Sequence, residues 1–310
     1  MMRLSIPVLS FLLVVGLVGC DTTATEPETE IVVEAYLQGG APMDTIRLAR
    51  SVDADEAYTP AEAAVRGATV EVRRLADDGT AAETIPFDET RAGLYTPVPS
   101  PLPTVQPLTT YELSAVTSNG TEVRATTTVP DTISIVETQN RNVVYQGPTQ
   151  PTFTITSPRS NRNQQSVLVL TATSLLDFSR PEEQLREQLT PFYAEDYDPE
   201  EDSIVTFRTT SSGPLNEANF NRDEAGRITT ELPWISIAFY GPNASTVHVI
   251  DSNLFDLFRS QQAQPTGGQG GSLGPGEIPN VIEHVEGGTG VFGSYVRDST
   301  QIFVQRPNNR

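Results

Sequence analysis

Short runs of alternating apolar and polar residues follow one another over residues 31–130. Ala68, Val70 and Val72, for example, alternate with polar residues, which is the two-residue period of a strand with one buried face. Glycine and asparagine turn residues separate the runs. The pattern predicts strands at 31–37, 44–49, 68–75, 83–87, 93–96, 110–117 and 122–129. About seven strands in such a stretch are typical of an immunoglobulin-like or transthyretin-like β-sandwich.

The chain beyond Pro130 is again rich in short apolar runs, and Pro130 itself favours a boundary because proline cannot donate to a strand ladder. Strands are predicted at 132–136, 152–156, 166–173, 204–209, 234–240, 246–250, 290–296 and 301–304. Two short helices interrupt them, one from a capping box at 179–182 to about residue 189 and one over 252–262. The predicted fold class is therefore mainly β, with an N-terminal β-sandwich (31–130) and a second β-rich domain (131–310) that contains two short helices.

Segment 265–279 differs from its surroundings because glycine dominates it. Such a segment has too few apolar side chains to bury, and we expect it to form an exposed, mobile loop. The apolar residues of the helix before it, Leu254, Phe255, Leu257 and Phe258, recur at helical spacing and indicate core packing more than a ligand groove.

The first nineteen residues, 1–19, have the charged start and apolar run of a signal peptide, and the run is too short to cross a bilayer. Its end, Leu17-Val18-Gly19-Cys20, resembles the bacterial lipobox. Cys20 is thus the predicted lipidation site, where acyl chains would anchor the protein to a membrane. Residues 20–30 lack apolar periodicity and are predicted to be a disordered tether. The acidic tether favours the outer membrane, although Asp21 after the cysteine also fits an inner-membrane retention signal.

The composition excludes several function classes. The chain has one cysteine and two histidines, which exclude a disulfide scaffold and a Cys/His metal cluster. Its formal charge is −20, and its 20 basic residues are all arginine. A polyanion would be repelled, so nucleic acid is not an expected partner.

One acidic stretch could in principle bind Ca²⁺, which takes six to eight oxygen ligands. Its carboxylates are Glu195, Asp196, Asp198, Glu200, Glu201 and Asp202. The EF-hand pattern is absent, because Glu201 and Phe207 stand where that loop needs glycine and glutamate. A solvated acidic loop is the favoured interpretation, and no metal or cofactor is predicted.

Other motifs also favour structure over chemistry. Gly288, Gly290 and Gly293 match the letters of a dinucleotide-binding fingerprint, but they precede a predicted strand where that fingerprint needs a helix. A tight bend or close strand crossing explains them better. His248 occupies a strand position and no G-x-S-x-G elbow occurs, so we predict no catalytic residues and no enzyme.

Two sets of residues carry a family resemblance. They are 31–37, 45–51, 65–70, 93–95, 111–113 and 125–130, and, near the C-terminus, 279–280 and 287–294. Together they resemble the domain of unknown function 4249 family, lipoproteins of Bacteroidota and relatives. This chain has Ile-Glu-His-Val-Glu at 282–286, where an Asn-rich stretch usually precedes the glycines. The resemblance spans nearly all of 31–305 and supplies no catalytic residues.

The resemblance implies a mostly β, lipid-anchored envelope protein that assists a TonB-dependent outer-membrane receptor. We therefore expect an outer-membrane lipoprotein, facing the periplasm or the cell surface, that works by binding. Its partners would be the membrane, through Cys20, and the receptor barrel, with a small-molecule or peptide ligand that the residues do not specify. The rivals are a structural or adhesive envelope protein and, less favoured, an extracytoplasmic hydrolase.

Overall fold

The computed structural model describes residues 29–52, 56–158, 166–263, 282 and 284–307. The strands in this part of the chain are β1 (Ile31–Gln38), β2 (Ile46–Arg50), β3 (Thr69–Leu75), β4 (Ala81–Arg91), β5 (Leu94–Pro97), β6 (Thr110–Val116), β7 (Glu122–Thr128), β8 (Ile135–Gln139), β9 (Asn142–Val144), β10 (Thr152–Ile155), β11 (Val167–Ser174), β12 (Thr209–Ser211), β13 (Leu215–Asn216), β14 (Ile228–Glu231), β15 (Gly241–Ile250), β16 (Val285–Glu286) and β17 (Thr289–Gln305). The helices are α1 (Pro60–Ala63), α2 (Glu182–Arg186), α3 (Pro191–Asp196) and α4 (Ser252–Ala263), with 3₁₀ turns at Ile204–Arg208, Glu217–Asn219 and Trp234–Ser236.

The predicted mainly β class is confirmed, since strands make up 46% and helices 14% of the residues that the structure describes. Alternation decides which side chains face inward. In β1, Val33, Ala35 and Leu37 are buried, whereas Glu34 and Tyr36 between them are exposed. The two-residue period of a strand thus produces one buried and one solvent-facing surface, as the sequence pattern requires.

The N-terminal sandwich follows the strand order β1-β2-β5-β4-β3-β6-β7, with neighbours antiparallel. The sheet curls until its two ends meet, because β17 beside β1 also contacts β7. The Ser294 Oγ on β17 lies 2.6 Å from the Thr127 Oγ1 on β7. Inward side chains from all of these strands therefore share one core, to which Leu48, Val72 and Leu113 belong.

Strand β17 belongs to both halves of the molecule. Its residues 289–295 pair with β1 in parallel, and its residues 295–304 pair with β15 antiparallel. Through β15 and β11 the same sheet continues to β12. The domain division at residue 130 stays a prediction, but one continuous sheet crosses it.

A second layer covers the inner face of the C-terminal part of this sheet. It is the three-stranded sheet β14-β10-β8, whose Phe153, Ile155 and Ile228 are fully buried in the main core. The Ile135 N–H donates to the Asp298 carboxylate of β17 over 2.7 Å, which holds the edge of the small sheet against the long strand.

Several predicted elements need correction. The predicted strands 290–296 and 301–304 are one strand, β17. Segments 204–209 and 234–240, predicted as strands, open with 3₁₀ turns. In the region after residue 130 the described chain has three α-helices, because α3 lies between the two predicted ones.

The insertion between β11 and β12, residues 175–208, explains the first 3₁₀ turn. It contains α2 and α3 and has a small core of its own, formed by Leu185, Leu189, Tyr197, Ile204, Ala238 and Phe239. A 3₁₀ turn places residues i and i+3 on one side, so Ile204 and Phe207 both pack on this core. An extended strand would have separated them.

Candidate functional site

A shallow pocket lies on the outer side of the N-terminal sandwich, where β2, β4 and β5 meet the segment around α1. Its volume is about 220 Å³. It is lined by Arg47, Leu48, Ala49, Tyr58, Pro60, Ala61, Ala64, Arg91 and Ala92, and we call it the arginine pocket. The alanine side chains are too small to fill the pocket, and the guanidinium groups of Arg47 and Arg91 give it a positive charge.

The strand register places both arginines on one face. Arg47 of β2 and Arg91 of β4 are each the pairing partner of Leu94, in the central strand β5. A β-bulge between Glu89 and Arg91 interrupts the regular alternation of β4 next to this pair. Both arginine side chains line the same pocket.

The charges around the arginine pocket remain largely unneutralised. Arg47 lies 3.9 Å from the Glu34 carboxylate with both side chains about half exposed, a long pair that contributes little. Among the described residues no carboxylate lies within ion-pair distance of Arg91. The nearby Glu89 carboxylate accepts the Gly67 and Gly93 backbone N–H groups over 2.8 and 3.0 Å.

Backbone contacts hold the floor of the pocket. The Leu48 N–H donates to the Gly93 carbonyl over 2.9 Å, and the Val65 N–H donates to the Leu48 carbonyl over 3.0 Å. Gly93 has φ +66°, and a Cβ there would lie 2.5 Å from the Leu48 oxygen. The Tyr95 hydroxyl, fully buried, donates to the Val65 carbonyl over 2.8 Å and accepts the Ala68 N–H over 3.0 Å.

We expect Tyr95→Phe to destabilise the protein by about 2 kcal/mol, because it leaves the buried Ala68 N–H and Val65 carbonyl without this partner. Urea unfolding of the two proteins measures the difference. Tyr36→Phe, at a side chain that is 39% exposed, is the control and should leave the unfolding midpoint almost unchanged. Equal stabilities of Tyr95→Phe and the parent would contradict the assigned role of the hydroxyl.

A second surface lies on the insertion. Phe192, 45% exposed, packs edge-on against the ring of Tyr193 with 5.1 Å between centroids. The Tyr193 hydroxyl donates to the carbonyl of Ile235, which is 49% exposed, over 2.6 Å. Exposed apolar side chains that form a patch occur in protein-binding surfaces. We call Phe192, Tyr193 and Ile235 the apolar patch.

The predicted acidic stretch begins in the last turn of α3, with Glu195 and Asp196, and continues beyond it to Asp202. Its carboxylates satisfy backbone groups of the loop itself: Asp198 accepts the Glu200 N–H over 2.9 Å, and Asp202 accepts the Asp198 N–H over 3.0 Å. Within the described ranges no three acidic, histidine or cysteine side chains are grouped to hold a metal ion. The aspartates of this stretch are therefore explained by their role in stabilising turns.

The glycine motif lies at the start of β17, as a close strand crossing and not at a helix. A Cβ on Gly288 would lie 2.4 Å from the Ile31 oxygen, and one on Gly290 would lie 2.1 Å from the Val33 oxygen. At Gly293 a Cβ would lie 2.5 Å from two carbon atoms of Leu254 in α4. The interpretation of these residues as packing glycines is confirmed.

A buried polar cluster joins β7, β17 and α4, and no sequence motif marks it. Asp251 precedes α4 and accepts the Leu254 N–H over 2.9 Å and the hydroxyl of Thr127. Asn253 donates to the carbonyls of Thr126 and Phe292, each over 2.7 Å. Burial raises the pKa of Asp251 to about 6, although these hydrogen bonds oppose the rise. An aspartate three residues before Leu254 was the available signal, since it reads as a helix cap.

The two histidines occupy separate places. His248 lies in β15, its Nε2 3.1 Å from the Thr171 Oγ1, and burial lowers its pKa to about 4, helped by the Arg297 charge. His284 Nε2 lies 2.8 Å from the Asp256 carboxylate of α4. The aromatic residues Phe239 and Tyr240 are buried, and Trp234 packs on the main core.

Three predicted features lie wholly or mostly outside the described residues: the signal peptide 1–19, Cys20 with the tether up to residue 28, and the glycine-rich segment 265–279. In the described part of the chain no helix is long and apolar enough to cross a membrane.

Comparison with protein families identifies the family of the chain. The profile of the family described as "Domain of unknown function (DUF4249)" matches residues 20–301. The chain belongs to this family. A comparison with curated proteins finds no match.

Among solved structures, the chain is similar to alpha-2-macroglobulin of Escherichia coli activated by porcine elastase, with 12% identity and a TM-score of 0.23 over 89% of this chain and 23% of that one. Salmonella alpha-2-macroglobulin matches with 12% identity, a TM-score of 0.23 and coverage of 89% and 15%. A tetra-tandem repeat from a large adhesion protein matches with 14% identity, a TM-score of 0.22 and coverage of 90% and 50%. The chain thus spans half or less of each, and such scores carry no functional argument.

Proposed function

We propose that this member of the family is a lipid-anchored binding protein of the cell envelope that assists a TonB-dependent outer-membrane receptor. The observation that carries the proposal is the lipobox-like sequence ending in Cys20, because a lipidated cysteine would hold the whole chain at a membrane surface. The family match, which begins at the same cysteine, supports this position for the start of the mature chain.

The anchor has a direct test. Cys20→Ala removes the thiol that would carry the lipid, so we expect the variant to leave the membrane fraction and to lose labelling by a fatty-acid analogue. The parent protein should remain with the membranes after a high-salt wash. A parent protein that washes off, or a variant that remains, would contradict lipid anchoring.

The apolar patch is the surface on which we place the receptor contact. Phe192 and Ile235 are exposed, and Tyr193 contacts the ring of the first and the backbone carbonyl of the second. An exposed apolar area surrounded by polar residues is the usual composition of a protein interface. The acidic stretch 195–202 follows Tyr193 closely in the chain and favours a receptor surface that carries basic residues, because opposite charges steer association.

A mild-detergent pull-down of the full lipidated protein from its own membranes tests the receptor contact. We expect near-stoichiometric recovery of a TonB-dependent barrel, and at least about a tenfold loss with Phe192→Ser or Ile235→Ser if these are interface anchors. Val136→Ser is the matched control, since Val136 is 47% exposed and lies on β8, outside the insertion. Recovery of the lipoprotein alone, or equal losses with all three variants, would refute the assignment.

A further inference from the structure

We propose that the arginine pocket binds a small organic anion, with one oxyanion group, carboxylate or phosphate, held between Arg47 and Arg91. The planar guanidinium group donates two parallel hydrogen bonds to either kind of oxyanion, which makes arginine well suited to both. The site does not depend on the receptor, because all of its lining residues belong to this chain.

The pocket differs in charge from the rest of the molecule. The chain has twice as many acidic as basic residues, 40 against 20, and several arginines elsewhere lie against carboxylates. Arg74, Arg124 and Arg227 are examples, at 3.1, 2.6 and 2.7 Å from their partners. Arg91 has no such partner among the described residues, and Arg47 has only the 3.9 Å contact with Glu34. Among the described residues, the guanidinium group of Arg91 thus has no carboxylate partner and that of Arg47 has only a long one, so both can contact an anion that enters the pocket.

The shape of the pocket limits the ligand. Its volume of about 220 Å³ is below the range of pockets for drug-sized molecules, which begins at roughly 300 Å³. Ala49, Ala61 and Ala64 give it a small apolar floor, and Tyr58, 53% exposed, adds an aromatic ring and a hydroxyl at the side. A ligand of the size of one sugar ring or one aromatic ring, with a charged group at one end, fits these properties.

Contacts within the protein hold the floor of the pocket. Gly93 allows β5 to approach the Leu48 carbonyl, and Tyr95 ties the segment after α1 to the same strand. A site that needs no rearrangement loses little entropy on binding. Affinity then depends on the two arginines, and added salt should weaken it, since they are partly exposed.

Binding by the purified full-length protein in nonionic detergent tests the proposal, measured by titration calorimetry at low ionic strength. Two series of probes are used. In the first, glucuronate and glucose 1-phosphate are compared with uncharged glucose; in the second, benzoate is compared with uncharged benzyl alcohol. We expect saturable binding of at least one anion at concentrations up to about 10 mM, and none of its uncharged counterpart. Preference between glucuronate and glucose 1-phosphate distinguishes a carboxylate site from a phosphate site.

Variants locate the binding. Arg47→Gln and Arg91→Gln should each lower the affinity for the anion at least about tenfold, as expected for the loss of one charged hydrogen-bonding group. Ala61→Trp fills the pocket without changing any charge and should abolish binding. Arg180→Gln is the matched control, at a guanidinium 57% exposed in the insertion, and should bind like the parent.

The proposal is overturned if no probe anion binds, if the uncharged counterparts bind equally, or if Arg180→Gln weakens binding as much as Arg91→Gln does. The last result would show a general charge effect. Circular dichroism of each variant establishes that it is folded, and these exposed positions should leave the spectrum unchanged. A negative result here leaves the receptor pull-down unaffected, since that test uses the apolar patch.

Discussion

Gly290→Ala is expected to destabilise the protein by on the order of 4 kcal/mol or to prevent its folding, because two costs combine at this position. Gly290 has φ +102°, which residues with a Cβ rarely adopt. A Cβ there would also lie 2.1 Å from the Val33 oxygen and 2.9 Å from the Val33 nitrogen. Both atoms belong to the backbone of β1, so no side-chain rotation can relieve the clash, and the parallel pairing of β1 with β17 must separate.

Gly79→Ala is the matched control for this experiment. Gly79 has φ +81°, and a Cβ there would meet nothing within 4 Å, so only the conformational cost of about 1 kcal/mol is expected. Urea unfolding of the parent and both variants gives the comparison. Similar midpoints for the two variants would show that the contact with β1 adds nothing.

We expect the free energy of unfolding of Asp251→Asn, measured relative to that of the parent, to be higher at neutral pH than at pH 4. Burial raises the pKa of Asp251 from 3.8 to about 6, so between these pH values the folded protein holds a proton that the unfolded chain releases. The stabilisation by this group is complete below pH 3.8 and is lost as the pH rises through 6. At about 1.4 kcal/mol for each pH unit between the two values, the loss amounts to about 3 kcal/mol.

Asparagine suits the site because its oxygen can still accept the Leu254 N–H, while its amide can donate to Thr127. The quantity to measure is the difference in unfolding free energy between Asp251→Asn and the parent, at intervals from pH 4 to pH 8. His248 has a lowered pKa and the opposite effect on stability, since its stabilisation is lost as the pH falls from 6.5 towards 4. Because both proteins contain His248, its contribution cancels in the difference. A difference that stays constant over this range would refute the raised pKa of Asp251.

Local patterns predicted the elements that have local causes. The alternation in 68–75 matches β3, and the apolar stripe in 252–262 matches α4, because each pattern records which face is buried. Segment 204–209 misled the prediction, since it is rich in β-branched and aromatic residues, which favour strands. Its conformation follows instead from the insertion core, which takes up Ile204 and Phe207 together.

The candidate sites divide in the same way. The packing glycines could be found from sequence, because a glycine cluster is a continuous motif, whereas Cys20 stays a prediction from the lipobox-like sequence. The arginine pocket and the Asp251 cluster could not. Arg47 and Arg91 become neighbours only because β5 pairs with both β2 and β4, and Asp251 meets Thr127 only because β17 contacts β7.

The amino-acid sequence by itself determined the mainly β class, most strand positions, the α4 helix and the family, since these depend on the order of side chains along short segments. Tertiary structure alone decided that β17 runs through both halves, that position 290 has no room for a side chain, that a buried carboxyl caps α4 and that two arginines line one pocket. The physical reason is that strand pairing and burial join residues far apart in the chain, and a local pattern contains no record of the partner.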